Sequence, residues 1–162
     1  MGEVAPSGSD GLLARSGWSR FWLNRLFPVV NLGPSPDLNR AAAARPAMEA
    51  IWAPAGLLPI NGVRWEQTGP DRARITVPSE IEPVVIDLTL AGTGSVVALT
   101  TMRWTDANPE KTFAWQPFGG TVHAGGTFDG FTIPTMVRIG NHFGTEDYHP
   151  FFQAEITRAR YR

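Results

Sequence analysis

The chain has 162 residues and a mass of 17.7 kDa, enough for one domain that buries about 70% of its unfolded surface without disulfide or metal staples. It contains no cysteine, which excludes disulfide scaffolds, thiolate metal sites, iron–sulfur clusters and cysteine nucleophiles. A net charge of −1 and a pI of about 6.3 lack the basic excess of a nucleic-acid binder, and no apolar run reaches the roughly 20 residues of a membrane span.

Residues 1–11 are small, polar and turn-prone and read as a disordered tail, leaving residues 12–162 as a single domain. No basic stretch followed by a long apolar one marks a secretory signal, so the expected location is cytoplasmic. Residues 12–26 mix Leu, Trp and Phe with Arg15, Arg20 and Arg25. They read either as a segment packed on the domain's own core or as an amphipathic helix in peripheral contact with a membrane. Residues 27–30 suggest a short strand, stopped by the prolines at 34 and 36. Asp37 then stands where a helix N-cap is wanted. The Ala-rich run 38–52 predicts a helix with Leu38, Met48, Ile51 and Trp52 buried. Pro46 inside it predicts a kink, or a second helix opening there.

From residue 63 the apolar period changes to two. Strands are expected at 63–67, 73–77, 84–91, 96–104, 111–122, 131–141 and 151–161, with Pro117 interrupting the fifth. Gly119, Gly120, Gly125 and Gly126 read as turns and bulges. Short loops between consecutive strands mean antiparallel neighbours. The fold class is therefore α+β: a strongly curved antiparallel sheet of seven or eight strands, a half-barrel, packed around one kinked helix.

Several runs of residues resemble a bacterial domain family of unknown function. They are Trp52-x-Pro54-x-x-Leu57-Leu58-Pro59, Val63-Arg64-Trp65-Glu66, Arg103-Trp104, Pro117-Phe118-Gly119-Gly120, Ile133-Pro134-Thr135 and His142-Phe143-Gly144-Thr145. The resemblance covers roughly residues 26–160. It implies no activity that carries over. It does imply a curved-sheet fold like that of bacterial lipoprotein carriers, with several strands before the helix. The short segment before the helix and Pro46 depart from that pattern and imply a shortened member or a mispredicted start, with a sheet edge left open.

The residues themselves support little orthodox chemistry. His142, Glu146, Asp147 and His149 fit no ligand spacing of a metal site, and no metal or cofactor is expected. The paired glycines precede no helix, so they do not form a phosphate cradle. No Gly-x-Ser-x-Gly turn is present. Two groups remain. The aromatic residues Trp52, Trp65, Trp104 and Trp115, with Phe113 and Phe131, either fill a core or line a pocket. The strand residues Glu66, Arg103 and Arg138 either face solvent or project into the concave side. The leading expectation is non-catalytic binding of an apolar or amphiphilic small molecule in the concavity by Trp52, Trp65, Glu66, Arg103, Trp104, Trp115 and Arg138. One alternative is a small enzyme with Glu66 as acid or base and Arg103 and Arg138 as anion clamps. Another is a structural or vestigial domain that forms a homodimer through its open sheet edge.

Overall fold

The computed structural model describes the backbone of residues 6–13, 16–23 and 27–32 and, with side chains, residues 33 and 35–161. The chain opens as a three-stranded antiparallel meander, β1 (Pro6–Leu13), β2 (Ser16–Leu23) and β3 (Phe27–Leu32). Residues 6–11 are thus not a tail: they pair with β2 in an unbroken register from Pro6–Leu23 to Leu13–Ser16. Small polar residues have weak strand preference of their own, and the neighbouring strand supplies what propensity lacks. Residues 1–5 of the expected tail lie outside the described residues. So do the side chains of 12–26, on which the membrane reading rests.

After the helical region come seven strands: β4 (Arg64–Gly69), β5 (Arg72–Val77), β6 (Val84–Leu90), β7 (Val96–Thr105), β8 (Ala114–Phe128), β9 (Phe131–Asn141) and β10 (His149–Glu155). Their spatial order is their sequence order, every pair is antiparallel, and the sheet is open, with β4 and β10 at its edges. The last strand lies earlier and is shorter than the expected 151–161.

β8 is longer than expected because the glycines that read as turns lie inside it. Side chains on Gly119, Gly120 and Gly140 would overlap backbone carbonyls of the adjoining strands. Pro117 does not interrupt β8 either. Its carbonyl accepts from His142 N at 2.6 Å, and the β8–β9 register begins only at Phe118–Asn141. A strand residue's N and C=O share one side, so the missing N–H of Pro117 falls beyond the β9 ladder, where no bond is lost.

The helix α1 (Pro36–Glu49) runs through Pro46 as one element and ends in a 3₁₀ turn, Ala50–Trp52. Two further turns follow, Pro54–Leu57 and Pro59–Asn61. Ser35, not Asp37, is the N-cap: its hydroxyl accepts from Leu38 N at 3.1 Å. Pro36 takes the first helical position, where its missing N–H has no partner to lose.

Ala41, Ala43, Ala44, Ala47 and Met48 are buried, as is Ile51 beyond them. Leu38 and Trp52 are only half-buried. At about 100° per residue the buried positions cover close to half the helix circumference. The arc is wide because α1 touches β1 and β2 of the first sheet as well as β6 and β7 of the second. Beyond the first turn Arg45, Pro46 and Glu49 form the exposed side, with Arg45 Nε 2.6 Å from Glu49 Oε1.

Against α1 the second sheet presents Ile75, Val84, Ile86, Leu88 and Leu99, which share one core with Ala44, Ala47, Met48, Ile51 and Leu57 and with Val63 just before β4. Ile75, Ile86 and Leu99 are fully buried, each worth about 1.5–3 kcal/mol in burial. No helix among the described residues is long and apolar enough to cross a membrane.

Candidate functional site

The β6–β7 register stops at Ile86–Thr101. Before Ile86 the two strands part, and Thr101 Oγ1 closes the end of the ladder by donating to Val85 O at 2.7 Å. Beside this parting lies a cleft of about 540 Å³, walled by Arg40, Ala43 and Ala44 of α1, by the start of β6 and by β7 and β8. Its volume is in the range of small-molecule sites. The large apolar side chains exposed in it, among the described residues, are Val85, Met102 and Trp115, at 41%, 51% and 44%.

Among the described residues the charged side chains of the cleft come in pairs. Arg40 Nε lies 3.0 Å from Glu82 Oε1. Arg74 and Asp87 are cross-strand partners joined through two bonds, Nε to Oδ1 at 2.7 Å and Nη2 to Oδ2 at 3.1 Å. The hydrogen bonding to Asp87, then its Coulombic attraction, and more weakly Glu66, push the Arg74 pKa above its ordinary value against the opposing effect of desolvation.

Behind Trp115 stands Trp104, its cross-strand partner, with ring centroids 5.4 Å apart at 66°. Phe113 stacks on Trp104 at 6.3 Å, and the Arg40 guanidinium lies 5.1 Å from its centroid. Trp104 Nε1 donates to Asp37 Oδ1 at 2.8 Å, so the residue expected as a helix cap instead ties the start of α1 to β7.

Of the residues singled out in the sequence, this site gathers Trp104 and Trp115. The others serve elsewhere. Trp52 Nε1 donates to Pro134 O at 3.0 Å, and its own carbonyl accepts from Tyr161 OH at 2.9 Å. Trp65, half exposed, donates through Nε1 to Leu57 O at 2.8 Å. Both indoles anchor the 3₁₀ turns to the sheet, which is what a buried or half-buried indole N–H requires. Phe131 packs on Tyr161 at 4.9 Å.

Glu66 is exposed on β4 opposite Arg74. The Arg103 guanidinium lies 5.0 Å from the Phe118 ring centroid. Arg138 is exposed on β9, in register with Thr121 and Gln153. Glu66 and Arg138 are five strand positions apart, roughly 24 Å along the sheet. His142 adopts a left-handed backbone with φ of 58°, and its Nε2 lies 3.1 Å from Ala107 O, so it joins two loops. Among the described residues no group of three His, Asp or Glu is placed to hold a metal ion.

Sequence reasoning missed Arg40, Arg74, Glu82, Asp87, Val85 and Met102. One signal was available: Arg74 and Asp87 occupy outward positions on consecutive alternating strands, where a short connection sets them opposite each other. A second opening of about 640 Å³, between the β6–β7 turn and β8–β9, carries Thr and Ser hydroxyls, small apolar side chains and His123 but, among the described residues, no Phe, Tyr or Trp ring. It offers less to orient a ligand.

No curated protein and no solved structure matches the chain. Its match over residues 1–154 is to a family of unknown function, DUF6544, and the chain belongs to that family.

Proposed function

We propose that this DUF6544 domain is a non-catalytic module that binds an amphiphilic small molecule. Its sheet acts as a half-barrel around α1, and the ligand lies in the cleft beside α1 where β6 and β7 part. Glycines at 119, 120 and 140, where strands approach too closely for a side chain, support strong coiling of the sheet. The concavity's centre offers no room, because Ile75, Ile86 and Leu99 are fully buried and share one core with Ala44, Ala47, Met48 and Ile51. The observation that carries the reading is the exposed trio Val85, Met102 and Trp115 set beside two charge-neutral Arg–carboxylate pairs. That is an apolar wall with a polar rim, the make-up of an amphiphile site.

The separation of Glu66 from Arg138 weighs against the catalytic alternative, since an acid or base must lie within hydrogen-bond reach of the group it serves. Edge association is also disfavoured. β10 carries Pro150 and a bulge at Phe151, and the six-residue β4 carries Arg64 and Glu66. These are features that discourage strand addition.

The test is denaturing extraction of freshly purified protein followed by mass spectrometry of the released small molecules, for the wild type and Met102→Glu. The expected result is an amphiphile retained by the wild type and lost in the variant. Empty extracts, together with no change in the Trp115 indole NMR signal on titration with dodecyl maltoside, would overturn the reading.

A further inference from the structure

The headgroup class follows from how the charges in the cleft are disposed, given the amphiphile reading above. Arg40 is held by Glu82 and by the face of Trp104, and Arg74 by both oxygens of Asp87. Among the described residues two cations and two anions line the cleft, and their formal charges sum to zero. A net-anionic headgroup that reaches either Arg meets the carboxylate already there. A net-cationic one that reaches Glu82 or Asp87 meets the guanidinium. A headgroup carrying both signs a few ångströms apart can lie antiparallel to an existing pair, each end against its opposite, without breaking the pair. The exposed Trp115 ring adds a surface for the cationic end, as aromatic faces do for ammonium groups.

We infer that the cleft takes a zwitterionic headgroup, its anionic oxygen against Arg40 and its ammonium against Glu82 and Trp115, with the apolar tail along Met102 and Val85. The probes are dodecylphosphocholine, dodecanoate, dodecyltrimethylammonium and dodecyl maltoside below their micelle concentrations, and free phosphocholine. Binding is read from the Trp115 indole NMR signal and from calorimetry.

Dodecylphosphocholine should bind about tenfold more tightly than either charged amphiphile. Trp115→Ala should weaken it, while far-ultraviolet circular dichroism shows the variant folded. Glu82→Gln, nearly isosteric, leaves Arg40 without its counter-charge and should invert the order, so that dodecanoate gains and dodecylphosphocholine loses. Equal binding of all tailed probes would overturn the headgroup inference and leave the amphiphile reading standing. No binding by any tailed probe would overturn the amphiphile reading itself. Free phosphocholine binding as tightly as its dodecyl form would support the headgroup inference and overturn the tail.

Discussion

Replacing Gly120 by Ala tests the close approach of strands at the middle of the second sheet. The new Cβ would stand 2.8 Å from Ile139 Cα and would overlap the Arg138 carbonyl oxygen. Carbon atoms ordinarily meet at roughly 3.5–4.0 Å, so β8 and β9 must separate by most of an ångström. Overpacking of this kind costs about 1–3 kcal/mol, and each ladder bond lost adds about 1 kcal/mol. A total of about 3–5 kcal/mol is a large share of a usual 5–15 kcal/mol stability. For a chain of this length it lowers Tm by roughly 6–20 °C. Gly92→Ala is the control, since nothing lies within 4 Å of its Cβ and its φ is not in the left-handed region. It should be neutral or gain up to about 1 kcal/mol from reduced unfolded-state entropy. Urea unfolding followed by Trp fluorescence and far-ultraviolet circular dichroism measures both. Stabilities of Gly120→Ala and Gly92→Ala within about 0.5 kcal/mol of each other would refute the close-approach argument.

Pro46→Ala should stabilise the protein by about 1–3 kcal/mol in the same assay, because Pro46 is exposed inside α1 and denies the Ala42 carbonyl its helical donor. Asp37→Ala should cost about 1–2 kcal/mol by leaving Trp104 Nε1 unpaired, whereas Asp37→Asn keeps an acceptor and should cost less. Tyr148, whose OH donates to Arg138 O, has its pKa pushed up by burial, with Arg138 opposing more weakly. Folded protein then holds this proton more tightly than unfolded protein. The contribution is complete below the unfolded tyrosine value of about 10 and is lost as pH rises through the folded one. Tyr148→Phe should therefore lose less stability than wild type in urea titrations between neutral pH and pH values above about 10.

The strands with clean alternation were legible. The sequence reading of 131–141 coincides with β9, and those of 73–77 and 84–91 differ from β5 and β6 by a residue at one end. Period-two burial is a local property, and Ile75, Ile86, Ile133, Val137 and Ile139 carry it plainly. β8 was cut short because glycine has two uses, in turns and where backbones crowd, and only the neighbouring strand decides between them. The buried face of α1 was legible in Met48 and Ile51 but not in its alanines, for a similar reason. Alanines do not look like core, yet a helix in contact with two sheets needs small residues. The aromatic site was half legible: Trp104 and Trp115 face each other because β7 and β8 pair in register. The acceptor of Trp52 lies in a strand 82 residues away and that of Trp65 in a 3₁₀ turn, pairings that no periodicity marks.

The contacts of α1 join two parts of the molecule energetically. Ala43 and Ala44 form one wall of the cleft, and the helix that carries them also rests on β1 and β2. Alanine has no side-chain rotamer with which to absorb a push, so an occupant that displaces this wall moves the helix backbone as a unit. The amide hydrogens of the β1–β2 ladder should then exchange at a rate that depends on whether the cleft is filled, which makes the first sheet a built-in reporter of occupancy there.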